Sequence, residues 1–539
     1  MSFSVSPSVN IKEVDLTSTI PAITTPPGVI VGPFNWGPTN ERILISNENE
    51  LANIFGAPSD FNPETFFTAA SFLSYSNALY VTRVVSTGAL EAKGLNELGT
   101  ELFFAKYPGD LGNGLSISIV STSLNGDTTS FQDDAFDTIT YPLTDIRGAD
   151  VATFADVPAG STFEIEYGVK TLFFVTTQEI VDLKSGDTLR VGSESVGFQD
   201  LEIANITMEV DGTDFIHRVE LKTRYSLPEL DANNLEFSRL WKYASIVNSA
   251  PTDGRTHIVV IDDKGYFSGT PGQILESFEN LSSVSTDKAA DGRTIYYKNV
   301  LETRSRYIKA NEVETIDPDS LSREYISLTS GTNGNDESDP TMFGVIAQGY
   351  DLYKEANEVD ISFILQGKAT SANTANYIVS NIAEYRRDCV AFLSPRKTDV
   401  VDIPNAQTQL KNVKTYRNLI QNSSYWFMDS GYKYTYDKYN DVFRWVPLNG
   451  DTAGLSALVE PWESPAGYRK GVIRNVIKLA FNPNKTIRDQ LYGSDINPVM
   501  SETSRGVILF GDKTGLGTKT GSAFTRLNVR RLFITIEKA

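Results

Sequence analysis

Between residues 359 and 395 the chain spells a strand, a helix and a second strand in succession. Residues 359–365 make an apolar strand, and Ala375, Ile378, Ile382 and Tyr385 then recur at helical spacing. The run Cys389-Val390-Ala391-Phe392-Leu393 follows and is stopped by Pro395. Two strands joined through a helix pair in parallel, and a parallel sheet must be covered on both faces. A buried α/β core is therefore required, and other segments offer parts for it. Gly28-Val29-Ile30-Val31-Gly32 reads as a buried strand. Asn47 with Glu50 three residues on fits a capping box, and Gly56 can close a short helix over Glu48–Phe55. Phe66, Ala70 and Leu73 mark a stronger helix over 64–78, which runs into a strand at 79–85. Further on, the pattern predicts a strand at 257–262 and a helix at 271–281. Helices are predicted near 407–421 and Lys485–Tyr492, and closing strands at 506–510 and 528–537.

The stretch 121–240 changes character. Short β-rich runs separated by Gly, Asp and Ser point to an all-β sandwich or barrel inserted into the α/β chain. The polar loop 331–340 is a natural return to the core. At about 100–200 residues per domain, 539 residues suggest three or four domains. The first twenty residues read as an arm: Val9 and Ile11 alternate with Ser8, Asn10 and Lys12 between prolines. A lone strand must find a sheet edge, in its own subunit or in a neighbour's.

Charge divides the chain. Overall there are 48 Lys+Arg against 68 Asp+Glu, a net of −20. Residues 461–539 hold 13 basic and 6 acidic residues, leaving 35 basic and 62 acidic in 1–460. Within that body, 121–240 alone carries 8 basic and 22 acidic residues, net −14. An acidic lobe and a basic segment on one polypeptide suggest attraction between copies, although a solvated acidic face serves solubility equally well. The acidic balance argues against sequence-independent nucleic-acid binding. No apolar run approaches the ~20 residues that span a bilayer, and the N-terminus lacks the basic start and apolar stretch of a secretory signal.

The search for chemistry yields little. Gly506-Val507-Ile508-Leu509-Phe510-Gly511-Asp512-Lys513-Thr514 has glycines and a lysine, but Asp512 intervenes where a phosphate-binding loop needs its lysine. Gln366-Gly367-Lys368 follows a parallel strand, where α/β folds usually place ligands, yet it lacks a glycine-rich approach. His217, His257 and Cys389 have no ligand or catalytic partner near them in sequence and read as packed residues. The acidic loop 335–339 misses the order and glycine of a calcium loop. The aromatic-rich run 432–445 suits a core hairpin or a protein interface better than a nucleic-acid platform. A multi-lobed structural protein that associates with itself is the expectation, with no catalytic residue, no cofactor and no metal.

A series of motifs resembles the tail sheath proteins of contractile bacteriophages, particularly the T-even-like group. It runs from Val9-Asn10-Ile11-Lys12-Glu13 through Phe34-Asn35-Trp36-Gly37-Pro38, Phe55-Gly56-Ala57-Pro58 and Tyr107-Pro108-Gly109-Asp110-Leu111-Gly112. The strongest matches are Tyr434-Thr435-Tyr436-Asp437-Lys438-Tyr439-Asn440-Asp441, Arg444-Trp445-Val446-Pro447 and Ser464-Pro465-Ala466-Gly467-Tyr468. Asn475-Val476-Ile477-Lys478-Leu479-Ala480, Ile496-Asn497-Pro498-Val499, Gly511-Asp512-Lys513-Thr514 and Leu527-Asn528-Val529-Arg530-Arg531-Leu532-Phe533 complete it. The order of these motifs over 9–121 and 249–539 carries the resemblance; 122–240 does not match by motif.

The resemblance implies an α/β core of mixed sheet and flanking helices, an inserted α/β middle domain and an outward all-β insertion. The expected division is an arm at 1–22, a core of 23–85 plus 341–510, a middle domain of 86–121 plus 241–340, an acidic β domain at 122–240 and an inner C-terminal part at 511–539. It further implies a virion subunit, made in the host cytoplasm, that stacks in hexameric rings around a tail tube and contracts without ATP. Its partners would be other copies, the tube protein, and the baseplate and tail terminator proteins, with no nucleic acid and no membrane insertion. Val9 and Ile11 in the arm, and Lys513, Arg526, Arg530 and Arg531, are the expected assembly contacts. Large relatives continue past the 530–533 strand by a helix and an arm; a chain trimmed at Ala539 is expected to stay monomeric or assemble poorly. The competing expectations are a sheath of a bacteriocin or type VI-like device, and a carbohydrate-binding or hydrolytic protein.

Overall fold

The computed structural model describes residues 26–538 apart from 97–98, 122–136, 139–142, 317–322, 518–520 and several short stretches between 152 and 253. The arm, with Val9 and Ile11, lies outside the described residues. The chain divides into two compact units, residues 1–86 with 335–539, and residues 87–334.

The first unit is built on a six-stranded sheet in the order Ile43–Ile45, Leu79–Arg83, Gly28–Gly32, Phe363–Leu365, Val390–Leu393, Trp426–Met428. All neighbours pair in parallel except the edge strand Ile43–Ile45. Successive residues point to opposite faces, so Val29, Val31, Ile364, Ala391 and Leu393 enter one apolar cluster. Ile30, Phe363, Leu365, Val390 and Phe392 enter the other. Helices cover both faces, as parallel pairing demands. The predicted helix between 365 and 390 exists, but its middle turn Ile378–Ala383 is π-wound. Asn47 caps the helix Glu48–Phe55 by accepting from the Glu50 N–H, while the Glu50 carboxylate reaches back to Ser46 rather than to Asn47.

The second unit holds two sheets. One has seven strands in the order Gln273–Ser282, Arg255–Asp262, Leu115–Ser121, Arg323–Thr329, Lys93–Leu95, Glu101–Ala105, Ile308–Ala310, all pairing antiparallel. The other has nine strands drawn from 137–240, around a core that includes Ile146, Leu172, Phe174, Leu189, Leu201 and Val219. Asp262 anchors the loop that follows its strand. Its carboxylate accepts from the N–H groups of Tyr266, Phe267 and Ser268 and from the Ser268 hydroxyl. Asp262→Ala leaves these donors to water and is expected to cost about 2–4 kcal/mol, read as faster proteolysis at 263–272 and a lower melting temperature.

Two expected elements are corrected. Residues 271–281 form the strand Gln273–Ser282, not a helix, and 527–538 form a helix, Leu527–Lys538, where a strand was expected. The first correction leaves Tyr297–Arg304 as the α-helix of the second unit among the described residues, so the 86–340 region is richer in strand than its expected α/β class.

Candidate assembly surface

The helix Leu527–Lys538 buries two arginines and exposes large apolar side chains. Leu527, Arg530, Arg531 and Ile534, spaced as one helical face, are its buried residues. Arg531 is 5% exposed, donates to the Val459 and Glu460 carbonyls and lies over the Phe363 ring; burial lowers its pKa to about 10. Arg530 sits between the rings of Phe524 and Tyr425, at 4.0 and 4.3 Å, and donates to Ser424 Oγ. The opposite face carries Val529 and Leu532, both half-buried, and Phe533 and Ile536, which are 41% and 59% exposed. Phe533 packs on Phe524 at 5.0 Å, and Trp462, 58% exposed, is tied to the helix through its carbonyl, which accepts from Asn528. Two cations thus share the interior face with Leu527 and Ile534, while large apolar side chains also face solvent. Burying two guanidiniums is tolerable only because carbonyls, hydroxyls and ring faces receive them.

The structure brings Lys513 and Arg526 together on adjacent antiparallel segments. Lys513 Nζ donates to the Tyr492 carbonyl at 2.8 Å and lies over its ring; burial lowers its pKa. Arg526 pairs with Asp512 at 2.7 Å and reaches the Tyr492 hydroxyl, and the Asp512 charge raises its pKa. With Lys485, Arg488 and Phe510, Arg526 lines a cleft of about 580 Å³. Of the six predicted contact residues, Lys513 and Arg526 share this corner. Arg530 and Arg531 lie in the interior beneath the helix, and Val9 and Ile11 lie outside the described residues. Phe533, Ile536 and Trp462 were missed, although a helical wheel of 527–538 separates the two faces.

The aromatic run is an antiparallel hairpin, Tyr432–Asp437 with Val442–Pro447. Tyr434, Tyr436, Phe443 and Trp445 share one face, where Lys478 lies over Tyr434 at 4.8 Å; Lys433, Thr435 and Asp437 point inward.

The carboxyl ends of the parallel strands, where a ligand is usually bound, are filled by the chain's own side chains. Lys368 pairs with Glu64 at 2.9 Å and stands 3.7 Å from Glu337. The Glu337 carboxylate accepts from the Glu64 and Thr65 N–H groups at the start of the helix Pro63–Leu73. A cavity of about 20 Å³ remains beside them. Nearby, Lys433 pairs with the fully buried Asp451, and Asp429 accepts from Ser394 Oγ. The 335–339 loop binds its own backbone, through Asp336 to Ser338 N and Asp339 to Thr341 N. The Gly506 motif is a strand, Gly506–Leu509, with Asp512 held by Arg526. His257 Nδ1 accepts from Asn280 N, His217 is buried in the strand Asp214–Leu221, and burial raises the Cys389 pKa. Among the described residues there is no cluster of His, Cys, Asp and Glu that could hold a metal ion, and no helix is long and apolar enough to cross a membrane.

Against known proteins, residues 356–515 match the phage tail sheath protein central domain. Residues 29–84 match the tail sheath protein Gp18 domain III N-terminal region. The chain is 29% identical to the tail sheath protein of Vibrio phage KVP40, over 99% of this chain and 86% of that protein. It is also 29% identical to the tail sheath protein of Enterobacteria phage T4, over 98% of this chain and 84% of that protein. Among solved structures, the sheath tail protein of Listeria innocua superposes with a TM-score of 0.49 at 9% identity, over 95% of this chain and 74% of that one.

Proposed function

The chain belongs to the T4-like family of phage tail sheath proteins, and we propose that its C-terminal segment presents the contacts that hold copies to one another and to a tail tube. It is a structural subunit of a contractile tail sheath, and so a component of the virion. The solvent-facing apolar side of the helix Leu527–Lys538 is the observation that carries the surface assignment. Large apolar residues turned to water mark an interaction site, and here they are fixed by buried arginines beneath. Arg530 and Arg531 brace this face, while Arg526 lines the neighbouring cleft as part of a polar rim, with Lys513 on the segment paired to it.

In this reading 23–85 with 341–510 is the core, 86–121 with 241–340 the middle domain, 511–539 the inner contact region, and the acidic β domain at 122–240 the part turned to solvent. Val9 and Ile11 belong to an arm that adds a strand to a neighbour. Assembly takes place in the host cytoplasm around the tube protein, with the baseplate and tail terminator at the two ends; neither nucleic acid nor membrane is a partner. The subunit performs no catalysis and takes no cofactor. The side chains packed at the ends of the parallel strands support that reading.

Electron microscopy of the chain co-expressed with its tube protein tests the assignment. Phe533→Asp with Ile536→Asp is expected to reduce assembly at least tenfold against the unaltered chain and leave the melting temperature within about 2 °C. Arg531→Ala is expected to lower the melting temperature first. Undiminished assembly by the double variant defeats the assignment.

A further inference from the structure

The long strand Gly197–Asp211 outruns its neighbour. It pairs with Thr188–Ser193 only along 197–202, and with Asp214–Leu221 from 203 to its end. Along 205–211 the edge opposite Asp214–Leu221 therefore has no partner strand among the described residues. Thr207, Met208, Glu209, Val210 and Asp211 are all exposed, Met208 at 40% and Val210 at 62%.

The turn fixes which backbone groups are free. Asp211 pairs with Asp214 across Gly212-Thr213, and Gly212 has φ +64° where Thr213 does not have positive φ. That is the two-residue hairpin turn with glycine first, whose flanking residues form a hydrogen-bonded pair. Bonded and non-bonded pairs alternate along an antiparallel ladder, so the N–H and C=O of Val210, Met208 and Ile206 point away from the hairpin. An open edge of this kind is a template for another strand.

The edge is complementary to itself. In an antiparallel pairing of two copies centred on Met208, residue 206 meets 210, 208 meets 208 and 207 meets 209. The outward backbone groups at 206, 208 and 210 then bond one another in register. Ile206, Met208 and Val210 align on one face, as the two-residue alternation requires. Thr207 lies opposite Glu209 and Asn205 opposite Asp211, so a carboxylate meets a hydroxyl or amide donor and never its own kind. We propose that two free copies of this chain pair through this edge about a two-fold axis. A polar tail has no two-fold axis between neighbouring subunits, so the contact belongs to unassembled protein. Both lobes are acidic, so long-range repulsion opposes the contact and salt strengthens it, the reverse of an interface built on ion pairs.

Disulfide trapping of the full chain tests the register. Met208→Cys places two thiols on a hydrogen-bonded pair about 5.5 Å apart at Cα, within disulfide reach. Oxidation is expected to give a band at twice 59.4 kDa. Thr207→Cys, offset by two residues from its counterpart, is expected to give less than a tenth as much. Cys389 is buried and does not compete. In sedimentation, the dimer fraction is expected to rise severalfold from 50 to 500 mM salt. It is expected to vanish in Met208→Pro, which removes an outward N–H without touching the hairpin ladder, and to persist in Met208→Ala. A monomer at every salt concentration, equal trapping at 207 and 208, or a dimer that survives Met208→Pro would overturn the proposal. If Met208→Pro melts early, the trapping pair alone decides.

Discussion

Lys433→Met is expected to destabilise the first unit by about 3–5 kcal/mol at neutral pH, the cost of leaving a buried charge without its partner. Lys433 Nζ lies 2.9 Å from Asp451, whose side chain is wholly buried and also accepts from the Tyr75 hydroxyl. Burial raises the Asp451 pKa, and the Lys433 charge is the largest influence holding it down. Without that charge the carboxylate takes up a proton more readily, so the loss should shrink as pH falls from 7 to 5. Urea unfolding of Lys433→Met, Asp451→Asn and the double variant measures this. The double variant is expected to be more stable than Lys433→Met alone. Equal stability of Lys433→Met and the parent rules the account out.

Raising pH from 6 to 8 is expected to weaken the same unit steeply. Asp429 is pushed up to about 8 by burial, against the hydrogen bond from Ser394 and the Gly431 N–H. Glu337 is pushed up to about 7 by burial, with Lys368 pulling the other way and Glu64 adding to the rise. Unfolded, both sit near the ordinary carboxylate value of about 4. The folded state therefore holds protons that the unfolded state has released, and folding takes them up. The stability they contribute is complete below about pH 4 and is lost as pH climbs through 7 and 8, at about 1.4 kcal/mol per pH unit for each group. Asp287, Asp291, Asp339 and Glu463 are held below their ordinary values and titrate beneath this window. Glu337→Gln is expected to lower the urea midpoint overall yet flatten its dependence on pH. A midpoint that rises between pH 6 and 8 contradicts the sign.

The parallel sheet was legible because its strands are continuous apolar runs of the kind that only a doubly covered sheet accepts. The strand Gln273–Ser282 misled for a definable reason. Ile274, Phe278 and Leu281 are spaced like a helix face, but the ladder to Arg255–Asp262 slips twice, between Thr256 and Ile258 and between Val260 and Ile261. Asn280 near one slip has φ +52°. Each slip changes the phase of the alternation, so a strand acquires helical spacing. The C-terminal helix misled in the opposite way. Its run Leu532-Phe533-Ile534-Thr535-Ile536 is dense in β-branched and aromatic residues, which favour a strand, although Val529, Leu532, Phe533 and Ile536 already recur at helical spacing. The buried ion network was out of reach, because Glu64, Lys368 and Tyr432 meet only through the fold. The motifs behind the family resemblance were legible. The surface that the helix presents was hidden until its pitch was known.

Gly28–Gly32 is flanked on both sides by parallel neighbours, Leu79–Arg83 and Phe363–Leu365, which come from distant parts of the chain. Tension that reaches Pro26 along the axis of that strand pulls it lengthwise through its sheet. The ladder bonds on its two sides then carry the load together in shear, instead of opening one after another as at a peeled hairpin. If a neighbouring subunit holds the arm, as proposed above, a tug on it is turned into displacement of the whole core, with Gly28–Gly32 still in its sheet.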